Sequence, residues 1–240
     1  MMHDCFSEEE KAIHDIAMAF VRRKANKKAI AKKYVDAYPR EENPVSIFMA
    51  GSPGAGKTEI ARQLLFQLDG SALHIDNDEL RGEFEAYNGA NSHLFQAPAT
   101  RLVEAIHDRA LKRKVSFILD STLSDFDKAK QNIERSLNKE RHVEILFVYQ
   151  NPEKAWEFVM AREKLEGRRV PPEIFVTQFI SSQVVVNELK SYFGQSIKMG
   201  VLVKNLDGSA KLYHSNVNNI DQYIHTKYNT AAINTVVGLG

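Results

Sequence analysis

Gly51-Ser52-Pro53-Gly54-Ala55-Gly56-Lys57-Thr58 fits the pattern G-x-x-x-x-G-K-[ST] at each constrained position. It stands between a short apolar run, Val45–Ala50, and a segment whose residues Ile60, Ala61, Leu64, Leu65 and Leu68 recur at helical spacing. Glycines in such a loop let backbone N–H groups converge on phosphate oxygens, where a Cβ would stand in the way. The helix that follows adds the positive end of its dipole. Lys57 then offers a mobile ammonium to the β- and γ-phosphates of ATP, and Thr58 a hydroxyl to Mg2+. The competing reading is a glycine turn that merely joins strand to helix. The full pattern in this context weighs against it.

The alternation of strand and helix continues outward from this loop. Residues 72–75, 115–120 and 142–149 read as buried strands. Residues 98–112, 126–138, 152–165 and a segment reaching to about residue 192 read as helices, and a further helix is expected after Asp76-Asn77-Asp78. Asp207-Gly208, flanked by the apolar runs 197–203 and 212–214, signals a hairpin. This order predicts an α/β P-loop NTPase fold: a mostly parallel sheet with helices on both faces and an antiparallel edge hairpin. Ahead of it, Ser7 and Glu10 have the spacing of a capping box, and Ile13, Ile16, Ala17, Phe20 and Val21 form one helical face. Pro39 and Pro44 mark a junction. The expected organisation is therefore a helical extension over 1–43 and a P-loop kinase domain over 44–228. A tail over 229–240, without charge or clear period, is expected to be poorly ordered.

Composition narrows the partners. The 240 residues are 43% apolar and 26% charged, as in an ordinary globular protein. Lys and Arg number 32 against 31 Asp and Glu, so no global field recommends nucleic acid or a membrane surface. Residues 22–33 hold seven basic side chains and no acidic one. With no aromatic residues among them, a solvated helix face is a better reading than contact with RNA or an acidic partner. The one cysteine, Cys5, excludes an internal disulfide and fits a reducing compartment. Histidines without paired spacing give no zinc motif, and no apolar run approaches membrane-spanning length. The expected location is cytoplasmic.

Two groups of acidic residues stand near strand ends, and a group of arginines surrounds a later loop. Asp120 closes an apolar strand, where a carboxylate can hold Mg2+ together with Thr58; capping the next turn with Ser121 and Thr122 is its alternative role. Asp76 and Asp78 follow the second strand, on the side where open α/β sheets bind ligands. Of the two, Asp76, with Glu79 three residues on, suits a helix cap, and Asp78 suits the base that accepts a hydroxyl proton. Arg162, Arg168 and Arg169 surround a loop bounded by Gly167 and Pro171-Pro172, either as a lid that steadies a transferring phosphoryl group or as a solvated surface.

Taken together, GSPGAGKT at 51–58, HIDNDEL at 74–80, ILDSTLS at 118–124 and AREKLEGRRVPP at 161–172 resemble the zeta toxin family of bacterial toxin–antitoxin systems. The resemblance runs over about residues 44–215. It implies an ATP-dependent kinase that phosphorylates the 3′-hydroxyl of the amino sugar of UDP-N-acetylglucosamine, blocking an early step of cell-wall synthesis, and a small helical antitoxin as partner. By position, it implies Asp78 as catalytic aspartate, Lys57 as P-loop lysine, Arg162 and Arg169 as γ-phosphate arginines, and Glu104 and Thr122 as substrate contacts. Where the family often shows Ile-Glu-Gly-Thr-Gly-Arg, this chain has Leu119-Asp120-Ser121-Thr122-Leu123-Ser124, so a serine and a shorter acid replace the arginine and the glutamate. The expected activity is transfer to a hydroxyl of a UDP-amino sugar. Other hydroxyl acceptors (a nucleoside, an RNA end, an antibiotic) and an ATP-binding regulatory switch are the alternatives.

Overall fold

Along the sheet strands, successive apolar side chains belong to different cores. In a computed structural model that describes residues 6–224 and 226–239, Phe48 and Ala50 enter one buried cluster while Met49 enters another. Phe117 and Leu119 are likewise separated from Ile118, and Ile145 and Phe147 from Leu146 and Val148. This period of two places both faces of the sheet against helices, so the strands are apolar throughout.

The elements follow in the order α1 (Glu8–Arg22), α2 (Lys24–Val35), β1 (Val45–Ala50), α3 (Lys57–Gln67), β2 (Leu73–Asp76), α4 (Asn77–Leu80), α5 (Gln96–Arg113) and β3 (Phe117–Asp120). Then come α6 (Phe126–Leu137), β4 (His142–Tyr149), α7 (Pro152–Glu166), α8 (Pro172–Phe193), β5 (Lys198–Lys204), β6 (Ala210–His214) and α9 (Thr230–Val237). The sheet order is β2-β3-β1-β4-β5-β6, with the first five strands parallel and β6 antiparallel to β5 across the Asp207-Gly208 turn. The expected mostly parallel sheet with its edge hairpin is therefore the observed one.

Residues 6–35 pack into the same core as the sheet. Ser7 caps α1 through a complete capping box with Glu10. Ala17 and Val21 of α1 and Ala31 and Val35 of α2 are buried in the cluster that holds Phe48, Ile75 and Phe117. The basic residues of α2 lie mostly on its exposed side. Cys5, which carried the redox reading, lies outside the described residues. Among the described residues, no helix is long and apolar enough to cross a membrane.

The expectation for the tail is corrected. Asn229 accepts a hydrogen bond from the Ala232 N–H and caps α9, which ends at Gly238 in the left-handed region. Ile233 and Val237, four residues apart, are buried against Ala155 and Val159 of α7 and Phe175, Val176 and Phe179 of α8. The absence of charge that suggested disorder is what lets this short helix dock. Only Gly240 of this segment lies outside the described residues. The docking gives a direct expectation: Ile233→Ala should lower unfolding stability by about 2–4 kcal/mol, the cost of a vacated core site. A urea midpoint equal to that of wild type would mean that α9 is not docked.

Candidate functional site

The phosphate loop is positioned by close contact with the elements around it. Gly54 has φ +73°, and a Cβ there would run into the backbone carbonyl of Ala155 on α7. Gly56 has φ +83°, and a Cβ there would lie 2.5 Å from Nζ of Lys204, which reaches over the loop from the end of β5. Lys204 is 3% exposed and donates to Glu59 Oε2 at 2.6 Å, fastening β5 to the first turn of α3. Lys57 Nζ donates to the carbonyl oxygens of Gly51 (3.1 Å) and Ser52 (2.8 Å), so its ammonium lies across the mouth of its own loop. Burial pulls this ammonium below its ordinary range, with Asp120 opposing the shift.

Strand register gathers the carboxylates. Parallel pairing of β2 with β3 sets Asp76 opposite Asp120, both on the sheet face covered by α3. Thr58 Oγ1, one residue into α3, donates to Asp120 Oδ2 at 2.6 Å. The expected pairing of Thr58 with Asp120 is thus present as geometry. Asp76 caps α4, its Oδ1 accepting from the Asp78 N–H at 2.9 Å, as its place before the helix suggests. Asp76 is only 7% exposed, and desolvation, with repulsion from Asp78 and Asp120, pushes its carboxyl up to about 7.

Asp78 sits within a ring of guanidinium groups. Arg81 lies 3.2 Å from Oδ1, Arg162 lies 3.7 Å from Oδ2, and Arg168 pairs directly with Oδ2. Arg81 is buried and also donates to Gln96. Burial lowers the Arg168 guanidinium below its ordinary range, opposed by Asp78. Gly167 ends α7 in the left-handed conformation and packs against Ala90, while Gly89 packs against the Glu166 carbonyl. The loop after α7 thereby closes onto the loop 88–91 and brings Arg168 to Asp78.

Two residues named by motif position stand elsewhere. Arg169 is 74% exposed, with its nearest carboxylate on Glu163 at 4.0 Å. Of these two adjacent arginines, it is Arg168 that reaches Asp78. Glu104 is 43% exposed on α5 and pairs with Arg101 at 3.2 Å. Thr122 serves the loop through its backbone: its carbonyl accepts from the Gly51 N–H at 3.2 Å, while its hydroxyl meets Ser124 at 2.9 Å. Arg81, His74 and Lys204 were not singled out from sequence. His74 had a visible signal, since it stands two residues before Asp76 on a strand and so shares its face.

The buried acid Asp76 sets a pH dependence. Folded Asp76 holds its proton more tightly than the unfolded chain does, so its contribution is most favourable below about pH 4 and is lost as pH rises through about 7. Asp76→Asn keeps the helix cap and removes the charge. With EDTA present, the variant should exceed wild type in stability by on the order of 2–4 kcal/mol at about pH 8, the gap closing near pH 4. Equal pH–stability curves would contradict this environment for Asp76.

Comparison with known proteins places this site in a family. The family model for Zeta toxin matches residues 28–218, beginning within α2 and covering the whole site. Toxin PezT of Streptococcus pneumoniae serotype 4 is 25% identical over an alignment of 163 residues that covers 62% of this chain and 64% of that relative's length. A structure from the PezAT chromosomal toxin–antitoxin system of Streptococcus pneumoniae superposes with a TM-score of 0.61 at 18% identity, covering 97% of this chain and 94% of that one. The AvrRxo1-ORF1:-ORF2 structure with ATP also gives a TM-score of 0.61, at 16% identity, covering 91% of this chain and 72% of that one. The structural likenesses show the shared fold, and the family match, extending over most of the residues, shows that this chain belongs to the zeta toxin family.

Proposed function

We propose that this protein is an ATP-dependent kinase that phosphorylates a hydroxyl of UDP-N-acetylglucosamine or a related UDP-amino sugar. The observation that carries the kinase reading is the position of Asp78: a carboxylate beside the phosphate loop, ringed by Arg81, Arg162 and Arg168. Family membership supports the acceptor.

In this reading, the amides of residues 51–56 and Lys57 hold the triphosphate. Thr58 and Asp120 fit Mg2+, since their oxygens already converge at 2.6 Å. When bound, the ion neutralises phosphate charge. Asp78 orients the acceptor hydroxyl and takes its proton as the oxygen bonds to the γ-phosphorus and the bond to the bridging oxygen of ADP breaks. Arg162 and Arg168, which now neutralise Asp78, turn their charge to the transferring phosphoryl group. Their release frees the base, so binding of the anionic substrate and readiness of Asp78 are linked. Glu104 and Thr122 are assigned to the acceptor side and Arg169 to the outer rim of the loop.

The same reading places the protein in the cytoplasm, where ATP and nucleotide sugars occur, and gives it a small helical antitoxin that covers the ATP site. That the pneumococcal neighbour comes from a toxin–antitoxin system supports such a partner.

Mass spectrometry of a nucleotide-sugar mixture incubated with protein, ATP and Mg2+ should show one species gaining a phosphate. Transfer only to nucleosides, RNA ends or antibiotics would reject the UDP-amino sugar, and no transfer to any acceptor would favour a regulatory switch. Asp78→Asn should cut turnover by about 10^2–10^4-fold while ATP affinity changes by less than roughly threefold. Arg168→Ala should cost about 10^2-fold in turnover and Arg169→Ala less than roughly threefold. Steady-state kinetics that reverse this ranking would move the inward arginine to Arg169.

A further inference from the structure

On the α3 face of the sheet, next to the phosphate loop, three potential metal ligands meet: His74, Asp76 and Asp120, with ligand atoms all within 4.8 Å of one another. Their convergence follows from the backbone. His74 and Asp76 are two apart on β2, and Asp120 is the register partner of Asp76 on β3, so all three project to the same side. Leu73, Ile75 and Leu119, which alternate with them, enter the core on the other side.

An independent observation points to a ligand there. The His74 side chain is 10% exposed, and its Nε2 has no hydrogen-bond partner. That nitrogen faces Asp120 Oδ2 at 4.0 Å, too far for a hydrogen bond. A buried ring nitrogen left without a partner is destabilising. Bonds of about 2.1 Å to one ion draw its ligands to within roughly 4 Å of each other, so the observed spacing needs only small side-chain rotations. The other ring nitrogen, Nδ1, lies 3.7 Å from Glu79 Oε1, on the side where metal-bound histidines commonly have a carboxylate.

We infer that His74, Asp76 and Asp120 form a site for a divalent transition-metal ion, with His74 Nε2 as a direct ligand, and that it fills without nucleotide. A mixed nitrogen and oxygen set suits Co2+, Mn2+ or Zn2+, whereas Mg2+ takes oxygen ligands and keeps several waters. The inference deepens the proposed metal role of Asp120 and rests on that reading for this one carboxylate. Its test uses neither nucleotide nor acceptor, so its failure leaves the kinase reading standing.

The test combines Co2+ titration by calorimetry with pulsed EPR of bound Mn2+ on the full chain. Wild type should bind one equivalent of Co2+, and its Mn2+ should show 14N modulation from a coordinated imidazole. His74→Gln should lose the modulation and weaken Co2+ binding by at least about tenfold. Asp76→Asn, which keeps the α4 cap, should weaken Co2+ to a similar degree, and it carries the test if His74→Gln does not fold. Absence of 14N modulation in wild type, its persistence in His74→Gln, or Co2+ affinity unchanged in a folded variant would overturn the assignment.

Discussion

The parallel register of β2 against β3, which sets Asp76 beside Asp120, is the constraint on which the site's chemistry depends. It forces acidic side chains together at the end of a sheet whose interior is apolar, where each charge is costly unless compensated. The surrounding residues answer that charge. Thr58 donates to Asp120, the α4 backbone donates to Asp76, and three arginines surround Asp78. Lys57 is held against the carbonyls of its own loop close by. A site that concentrates carboxylates and cations in this way suits the proposed substrate, a triphosphate carrying a metal ion.

The second organising feature is the way the arginine loop is braced. It leaves α7 at Gly167, touches the loop around Gly89 and Ala90, and re-enters structure at Pro172. Both flanking helices are backed by α9 through the cluster around Phe175, Phe179 and Ile233. Packing far from the chemistry therefore sets how accurately Arg162 and Arg168 are presented. The ion pair of Arg168 with Asp78 ties this loop to the start of α4.

Much of this was legible in the sequence, and the reasons differ by element. Long buried strands and capped helices announce themselves, as β4 and the Ser7–Glu10 box did. The phosphate loop follows from a motif whose backbone demands are strict, and Asp120 stands out as the acid that closes an apolar strand. The docking of α9 was not legible, because a short uncharged segment reads alike whether it is loose or buried until its partners are known. Nor was the choice between Arg168 and Arg169, since motif position cannot say which of two adjacent loop side chains turns inward. Glu104 was assigned by family position alone, and its ion pair with Arg101 depends on helix geometry one turn away. His74 was overlooked because a lone histidine on a strand is ordinarily core packing; its meaning comes from the register partner of Asp76.

The proposed chemistry requires that the folded loop over 51–58 grip a triphosphate. Calorimetric titration of the full chain with a non-hydrolysable ATP analogue and Mg2+ measures this most directly. One analogue bound per chain, with affinity lost in Lys57→Ala while the fold is retained, is the predicted result. A folded wild-type protein with no measurable affinity for the analogue would contradict the account at its base.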